Sequence, residues 1–221
     1  MAILPDRIIR SKRKSVSVGV DSLGRVTVRA PLRYPEDKIT AFLAEKEEWI
    51  LKHQKRMRAT GICLPENGLD GYGLLLLGER YILTLDDGKR VRLNEAEKRI
   101  FLPSENAEQR LKRWLKENAK RIFTQATRMR AEEMGVSYQS VTISSATTRW
   151  GSCTGDNRLR FSYRLLYAPK PVIDYVIVHE LCHTLHHDHS PRFWAAVESV
   201  IPDYKDKRKW LKDRGALLKI L

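Results

Sequence analysis

The sequence predicts an α+β protein in two parts: a β-rich N-terminal part with one helix, residues 1–103, and a C-terminal helix–sheet–helix domain, residues 104–221. Three observations carry this. Short runs of alternating apolar and polar residues fill much of the first part. A long stretch after Pro103 repeats apolar residues at helical spacing and stops at Gly135. Further on, Val172, Ile173, Tyr175, Val176, Ile177, Val178, Leu181, Cys182 and Leu185 leave a helix apolar nearly all round, which marks it as buried.

In chain order, Ser15-Val-Ser-Val-Gly-Val20 and Arg25-Val-Thr-Val-Arg29 alternate as strands around a turn at Asp21-Ser-Leu-Gly24, giving a hairpin. Pro31 and Pro35 end it. A helix over 36–58 follows, with Ile39, Phe42, Leu43, Trp49 and Ile50 as its core stripe. Glycines and a proline make 60–73 a loop. Strands are expected at 74–77, 80–85, 90–93 and 99–102, with a turn at Asp86-Asp-Gly88. Ser104 is the expected N-cap of the long helix, whose Leu111, Trp114, Leu115, Ile122, Phe123, Ala126 and Met129 form one side. Strands at 140–144 and 159–162 flank Thr148-Arg-Trp-Gly-Ser-Cys153 and the turn Thr154-Gly-Asp-Asn157. Pro169 and Pro171 open the buried helix, Ser190-Pro191 opens another, and a basic tail closes the chain.

Composition narrows the class. Of 221 residues, 42% are hydrophobic and 31% charged, as in ordinary globular proteins. No apolar run approaches the roughly 20 residues of a membrane span. The N-terminal segment lacks a signal peptide's apolar core, and Cys63, Cys153 and Cys182 form no framework of pairs, so a cytoplasmic protein is expected. The net charge of +14 fits a polyanionic partner, nucleic acid or nucleotide, but also a solvated basic surface, since the charge is spread over several segments.

Five of the six histidines fall between His179 and His189, and the run contains H-E-x-x-H: His179, Glu180 and His183. Positions four apart lie on one helical face, so two imidazoles there can converge on a cation, with the glutamate beside it to take a proton from water. Buried polar side chains need partners, and a cation satisfies all three at once. His189 stands ten residues after His179, the spacing of a third ligand in one class of zinc proteases. Those proteases turn the chain with a glycine. Here His186 holds that place, which leaves Asp188 as the candidate for a left-handed turn residue. Glu198 is the rival third ligand. His186 and His187 are read as exposed or supporting residues, and Cys182 as core.

The blocks Thr148-Arg-Trp-Gly-Ser-Cys153, Tyr175-Val-Ile-Val-His-Glu-Leu-Cys-His183 and Asp188-His-Ser-Pro-Arg-Phe-Trp194 resemble those of the YgjP-like metallopeptidase family, which is related to the SprT-like proteins. Ile9-Arg-Ser-Lys-Arg13, Val28-Arg-Ala-Pro31 and Leu75-Leu-Leu-Gly78 extend the resemblance over nearly the whole chain. It implies a zincin-like metallopeptidase fold for 104–221, Zn²⁺ on His179, His183 and His189, Glu180 as the base that activates water, and a peptide or protein substrate. Asp188 stands where that family's pattern often has Asn.

For the residue that steadies the oxyanion, the candidates are Arg149 and Tyr163, against readings as an ordinary ion-pairing residue and a core phenol. Trp150 is either the edge of the cleft or core, and Gly151 either admits a close backbone approach or serves a bulge. Two other functions stay open. A metal-dependent hydrolase of nucleoside triphosphates would use the same site, and the resemblance to the YgjP-like family also implies UTP pyrophosphatase activity as an alternative, though the chain has no G-x-x-x-x-G-K-[ST] loop. A nucleic-acid-associated module with a structural zinc would need a fourth protein ligand.

Overall fold

A computed structural model describes residues 4–20, 25–59 and 69–215. The turn expected at Asp21-Ser-Leu-Gly24, most of the 60–73 loop and Cys63 lie outside the described residues. The chain divides into two compact units, Met1–Glu66 and Asn67–Lys219.

In the first unit, β1 (Arg7–Ser11), β2 (Ser17–Val20) and β3 (Val26–Pro31) form a sheet of order β1-β3-β2. β2 and β3 pair antiparallel, Val18 opposite Val28, as the alternation predicts. β1 pairs parallel with β3, Ile8 opposite Val28. It escapes sequence reading because Arg-Ile-Ile-Arg-Ser has no period of two. The expected single helix is two, α1 (Glu36–Glu45) and α2 (Glu47–Ala59), separated at Lys46. Ile39, Leu43 and Ile50 pack with Val26, Val28 and Ala30 to make the core. Trp49 does not join them: it is exposed and lies against the His53 ring, centroids 3.9 Å apart.

The second unit holds two sheets and the remaining helices. β4 (Gly73–Leu76), β5 (Glu79–Asp86), β6 (Arg92–Asn94) and β7 (Arg99–Pro103) run in the order β4-β5-β7-β6. β8 (Ser140–Ser144), β9 (Gly151–Cys153) and β10 (Arg158–Ser162) run β8-β10-β9, so β9 is an outer strand, antiparallel to β10. The strands β4 to β7, which precede the long helix α3 (Ala107–Met134), lie within the second unit. The physical reason is packing: β7 lies on α3, and the β4–β5 hairpin docks on the short 3-10 turn Tyr163–Tyr167, with the Leu77 amide donating to the Leu166 carbonyl at 2.6 Å.

Leu77 and Gly78 both take positive φ in that two-residue hairpin turn, which suits the twist of the paired strands. A Cβ on Gly78 would stand 2.9 Å from the Pro169 Cα. The turn thus presses on the residue that caps the next helix, α4 (Lys170–Cys182).

α3 (Ala107–Met134) is the long helix, and Gly135 ends it with φ +64. Its start differs from expectation. Asn106 is the N-cap, in a left-handed conformation, while the Ser104 backbone and hydroxyl both bond the Asp86 carbonyl and extend the strand pairing. Leu111, Leu115, Ala119, Phe123, Thr127 and Ala131 face inward. Met129 is exposed, because buried positions advance by four and the inward stripe winds past it.

α4 packs against α3, β9, α5 (Pro191–Val200) and α6 (Tyr204–Arg214). This explains its apolar surround. Arg130 of α3 holds Asp174 of α4 through two hydrogen bonds, 2.8 and 2.5 Å. Among the described residues, no helix is long and apolar enough to cross a membrane.

Candidate metal centre

The motif helix ends where its ligands begin to be useful. α4 stops at Cys182, and His183 follows as its C-cap in a still helical conformation. The Thr184 and Leu185 amides then bond the Leu181 and Cys182 carbonyls, tightening the chain into a turn. No residue from His183 to Ser190 has positive φ, so Asp188 is not the left-handed residue expected of it. Its carboxylate instead accepts the Ser190 amide at 3.2 Å. Ser190 in turn caps α5, its hydroxyl accepting the Phe193 amide at 3.5 Å. Two short side-chain turns thus replace the glycine and bring His189 back to α4.

The result gathers three imidazoles. One ring nitrogen from each of His179, His183 and His189 lies within 4.8 Å of the others. The Nε2 atoms of His179 and His189 are 3.3 Å apart. Two nitrogens at about 2.0–2.1 Å from a tetrahedral zinc stand about 3.3–3.4 Å from each other, so the spacing fits that ion. His183 Nδ1 lies 2.9 Å from the His186 carbonyl, which only accepts; the proton therefore sits on Nδ1 and the lone pair on Nε2. His179 Nδ1 is buried with no hydrogen-bond partner among the described residues. A proton shared between two rings serves one pair, whereas a divalent cation serves all three, and a nitrogen-only set favours zinc over magnesium. The residues present fit the ion.

Aromatic side chains hold the rings. Phe193, fully buried, stacks on His183 at 4.4 Å and meets His179 and His189 edge-on at 4.9 Å each. Trp194 lies 5.8 and 5.6 Å from those two, backed by the stacked Tyr204 ring and the Arg208 guanidinium. Tyr204 and Arg208 belong to α6, which the sequence reading leaves as a basic tail. The one available signal was Tyr204, Trp210 and Leu211 at roughly helical spacing among the charges.

Electrostatics prepare the site. Burial, then His183 and His189, drive the His179 pKa down to about 3, so its lone pair is free at neutral pH. Burial also lowers His183. Burial pushes Glu180 up to about 8, opposed by Arg149. Glu180 is 5% exposed, and β9 passes directly over it: a Cβ on Gly151 would stand 2.5 Å from Glu180 Oε1. Gly151 is therefore a close-approach residue. We expect Gly151→Ala to lower kcat at least about 10-fold with metal content unchanged, because a shift of about 1 Å at a reacting group costs up to 10²-fold. Paired metal analysis and peptidase assays check this.

The remaining candidates fall as follows. Arg149 is exposed beside Glu180. Trp150 is half-buried, its indole against Gly215 at the end of α6 and its carbonyl accepting the Ser162 amide at 2.8 Å. Tyr163 is a buried phenol between Lys116 and Arg164, with the charges of Lys112 and Glu108 of α3 nearby, which makes it part of the core there. Glu198 is exposed and faces Lys205 at 3.9 Å, outside the imidazole group. Cys182 is fully buried and free, as packing requires.

A family model described as "YgjP-like, metallopeptidase domain" matches residues 14–214. No curated protein matches the chain. Among solved structures, the metallopeptidase zymogen abylysin of Pyrococcus abyssi is similar at 20% identity, over 41% of this chain and 93% of that one, with a TM-score of 0.37.

Proposed function

The chain belongs to the YgjP-like metallopeptidase family, and from that premise we propose that it is a zinc-dependent peptidase in which His179, His183 and His189 hold the ion and Glu180 is the general base. The observation that carries this reading is the 3.3 Å approach of two imidazole nitrogens beside a third, with a buried carboxylate on the next residue. The zincin-like catalytic scaffold is the portion of the second unit from residue 104 on, with β4 to β7 packed against it, and its work is done in a reducing cytoplasm.

When bound, the zinc supplies Lewis acidity and lowers the pKa of water toward about 7. The protein's own groups do the rest. A substrate chain extends along the outer edge of β9, pairing with the backbone there, which places a peptide carbonyl near Gly151 and Glu180. Glu180 accepts a proton from the attacking water on a carboxylate oxygen and returns it to the leaving amine. In the metal-free protein burial favours the neutral carboxyl, and a cation held by the neighbouring imidazoles would favour the carboxylate that accepts the proton. Arg149, exposed at the same edge, steadies the oxyanion. Phe193 and Trp194 exclude water from the far side of the rings.

The test is cleavage of an unfolded protein by the full chain. Stripping the metal with a chelator should abolish cleavage, and stoichiometric Zn²⁺ should restore it. Release of pyrophosphate from UTP in place of peptide cleavage would overturn the proposal.

A further inference from the structure

Away from the histidines, α3 carries a second surface with its own chemistry. A cleft of ≈ 490 Å³ opens where its first half meets the loop before β6, lined by Lys89, Arg90, Arg110, Arg113, Trp114 and Glu117 among others. Glu117 is engaged by Arg113 at 2.9 Å. Arg110 spends its bonds on the Glu105 and Lys89 carbonyls, so its charge has no carboxylate among those partners. A second depression of ≈ 470 Å³ continues along the helix, bordered by Lys120, Arg121 and Arg128. Among the described residues, Lys120 bonds the Val141 carbonyl and Arg121 the Asn118 amide oxygen, and neither meets a carboxylate there.

These positions share one face. Arg110, Trp114, Glu117, Arg121 and Arg128 recur at spacings of three, four and seven, which stacks them along one side of a helix. At 1.5 Å per residue the row runs about 27 Å. Seven cations, Lys89, Arg90, Arg110, Arg113, Lys120, Arg121 and Arg128, line the two depressions, and among the described residues Arg113 pairs with Glu117 and Arg128 with Glu132. An exposed row of cations alone would be a solvated face. The half-buried indole of Trp114 in the cleft is what a solvated face does not need.

We propose that this face of α3 binds single-stranded nucleic acid, with a base stacked on Trp114 in the cleft and the phosphates running along the arginines toward Arg128. A cationic groove with a stacking aromatic is how unpaired strands are held without sequence readout, and about 27 Å suits the short end of the roughly 4–16 nucleotides such sites cover. A duplex keeps its bases stacked away from the indole. An acidic protein would use the charges and leave the indole idle. The surface does not depend on the peptidase reading.

The experiment is fluorescence anisotropy of a labelled oligothymidylate and an oligouridylate with the full chain, titrated with salt. With four phosphates neutralised, the log–log salt slope is expected to be about −3. Arg90→Glu with Arg121→Glu should weaken binding at least about 10-fold, while Lys38→Glu, on the exposed side of α1, should not. Trp114→Ala should lose about 5- to 100-fold, the worth of one stacked base. Trp114→Phe should keep most of the binding but lose the tryptophan quench that the strand causes, which a misfolded variant would not reproduce. Wild-type affinity in both the charge-reversal and Trp114→Ala variants, indifference to salt, or equal binding of duplex DNA, heparin or uridine monophosphate would each overturn the proposal.

Discussion

Glu180→Gln is expected to cut kcat for peptide cleavage by about 10²–10⁴-fold, the usual worth of a positioned general base, with zinc still bound at one ion per chain. Glutamine keeps the shape beneath β9 and removes only the proton acceptor. Retained activity would transfer the base to another group. The same variant has a second, opposite signature in the metal-free protein. Glu180 has its pKa raised from 4.5 to about 8, so the folded state binds its proton more tightly, and the stability this contributes is present below pH 4.5 and lost as pH rises to 8. Glutamine has no charge to bury. Metal-free Glu180→Gln should therefore match wild type near pH 4.5 and melt above it at pH 8, by an amount on the order of 4 kcal/mol at most. Thermal melts at the two pH values check it. His179 gives the reverse slope in both proteins: its pKa falls from 6.5 to about 3, so its contribution is present above pH 6.5 and lost toward pH 3.

His179→Ala is expected to reduce bound zinc from one ion per chain to almost none and to abolish cleavage. The ring touches both other imidazoles, Phe193 and Trp194, so its loss removes a ligand and opens a hole in the aromatic cradle. His189→Ala should weaken zinc by about 10²–10³-fold, one ligand's share of a structural site's binding free energy. It should leave folding nearly intact, because His189 is exposed. Metal analysis of both variants decides the ligand set. Unchanged zinc in His189→Ala would assign the third position to another side chain.

What the sequence disclosed and what it hid divide along one line. H-E-x-x-H and the apolar surround of α4 are local patterns, readable because helix geometry alone places His179 beside His183. His189 was legible by spacing, but the turn that returns it was not. A glycine substitute at Asp188 was the natural expectation, and the chain uses hydrogen bonds from Asp188 and Ser190 instead. Tertiary packing hid the rest. α6 has too few apolar residues to announce itself and is held by Tyr204 stacked on Trp194. β1 is an edge strand without alternation. Trp49 sits at helical spacing with core residues yet lies outside, and Tyr163 packs under α3. The placement of β4–β7 with the second unit follows from contacts no local pattern encodes.

The position of α4 has a further consequence for motion. Two of the three imidazoles ride on, or cap, a segment enclosed by α3, α5, α6 and β9, while the third comes from an exposed turn held by two side-chain bonds. Amide hydrogen exchange should therefore be slowest along Val176–Leu181, opening only with global unfolding, and far faster at 186–189. Metal would then enter and leave through local release of the His189 turn, with the other two rings standing ready as a permanent half-site.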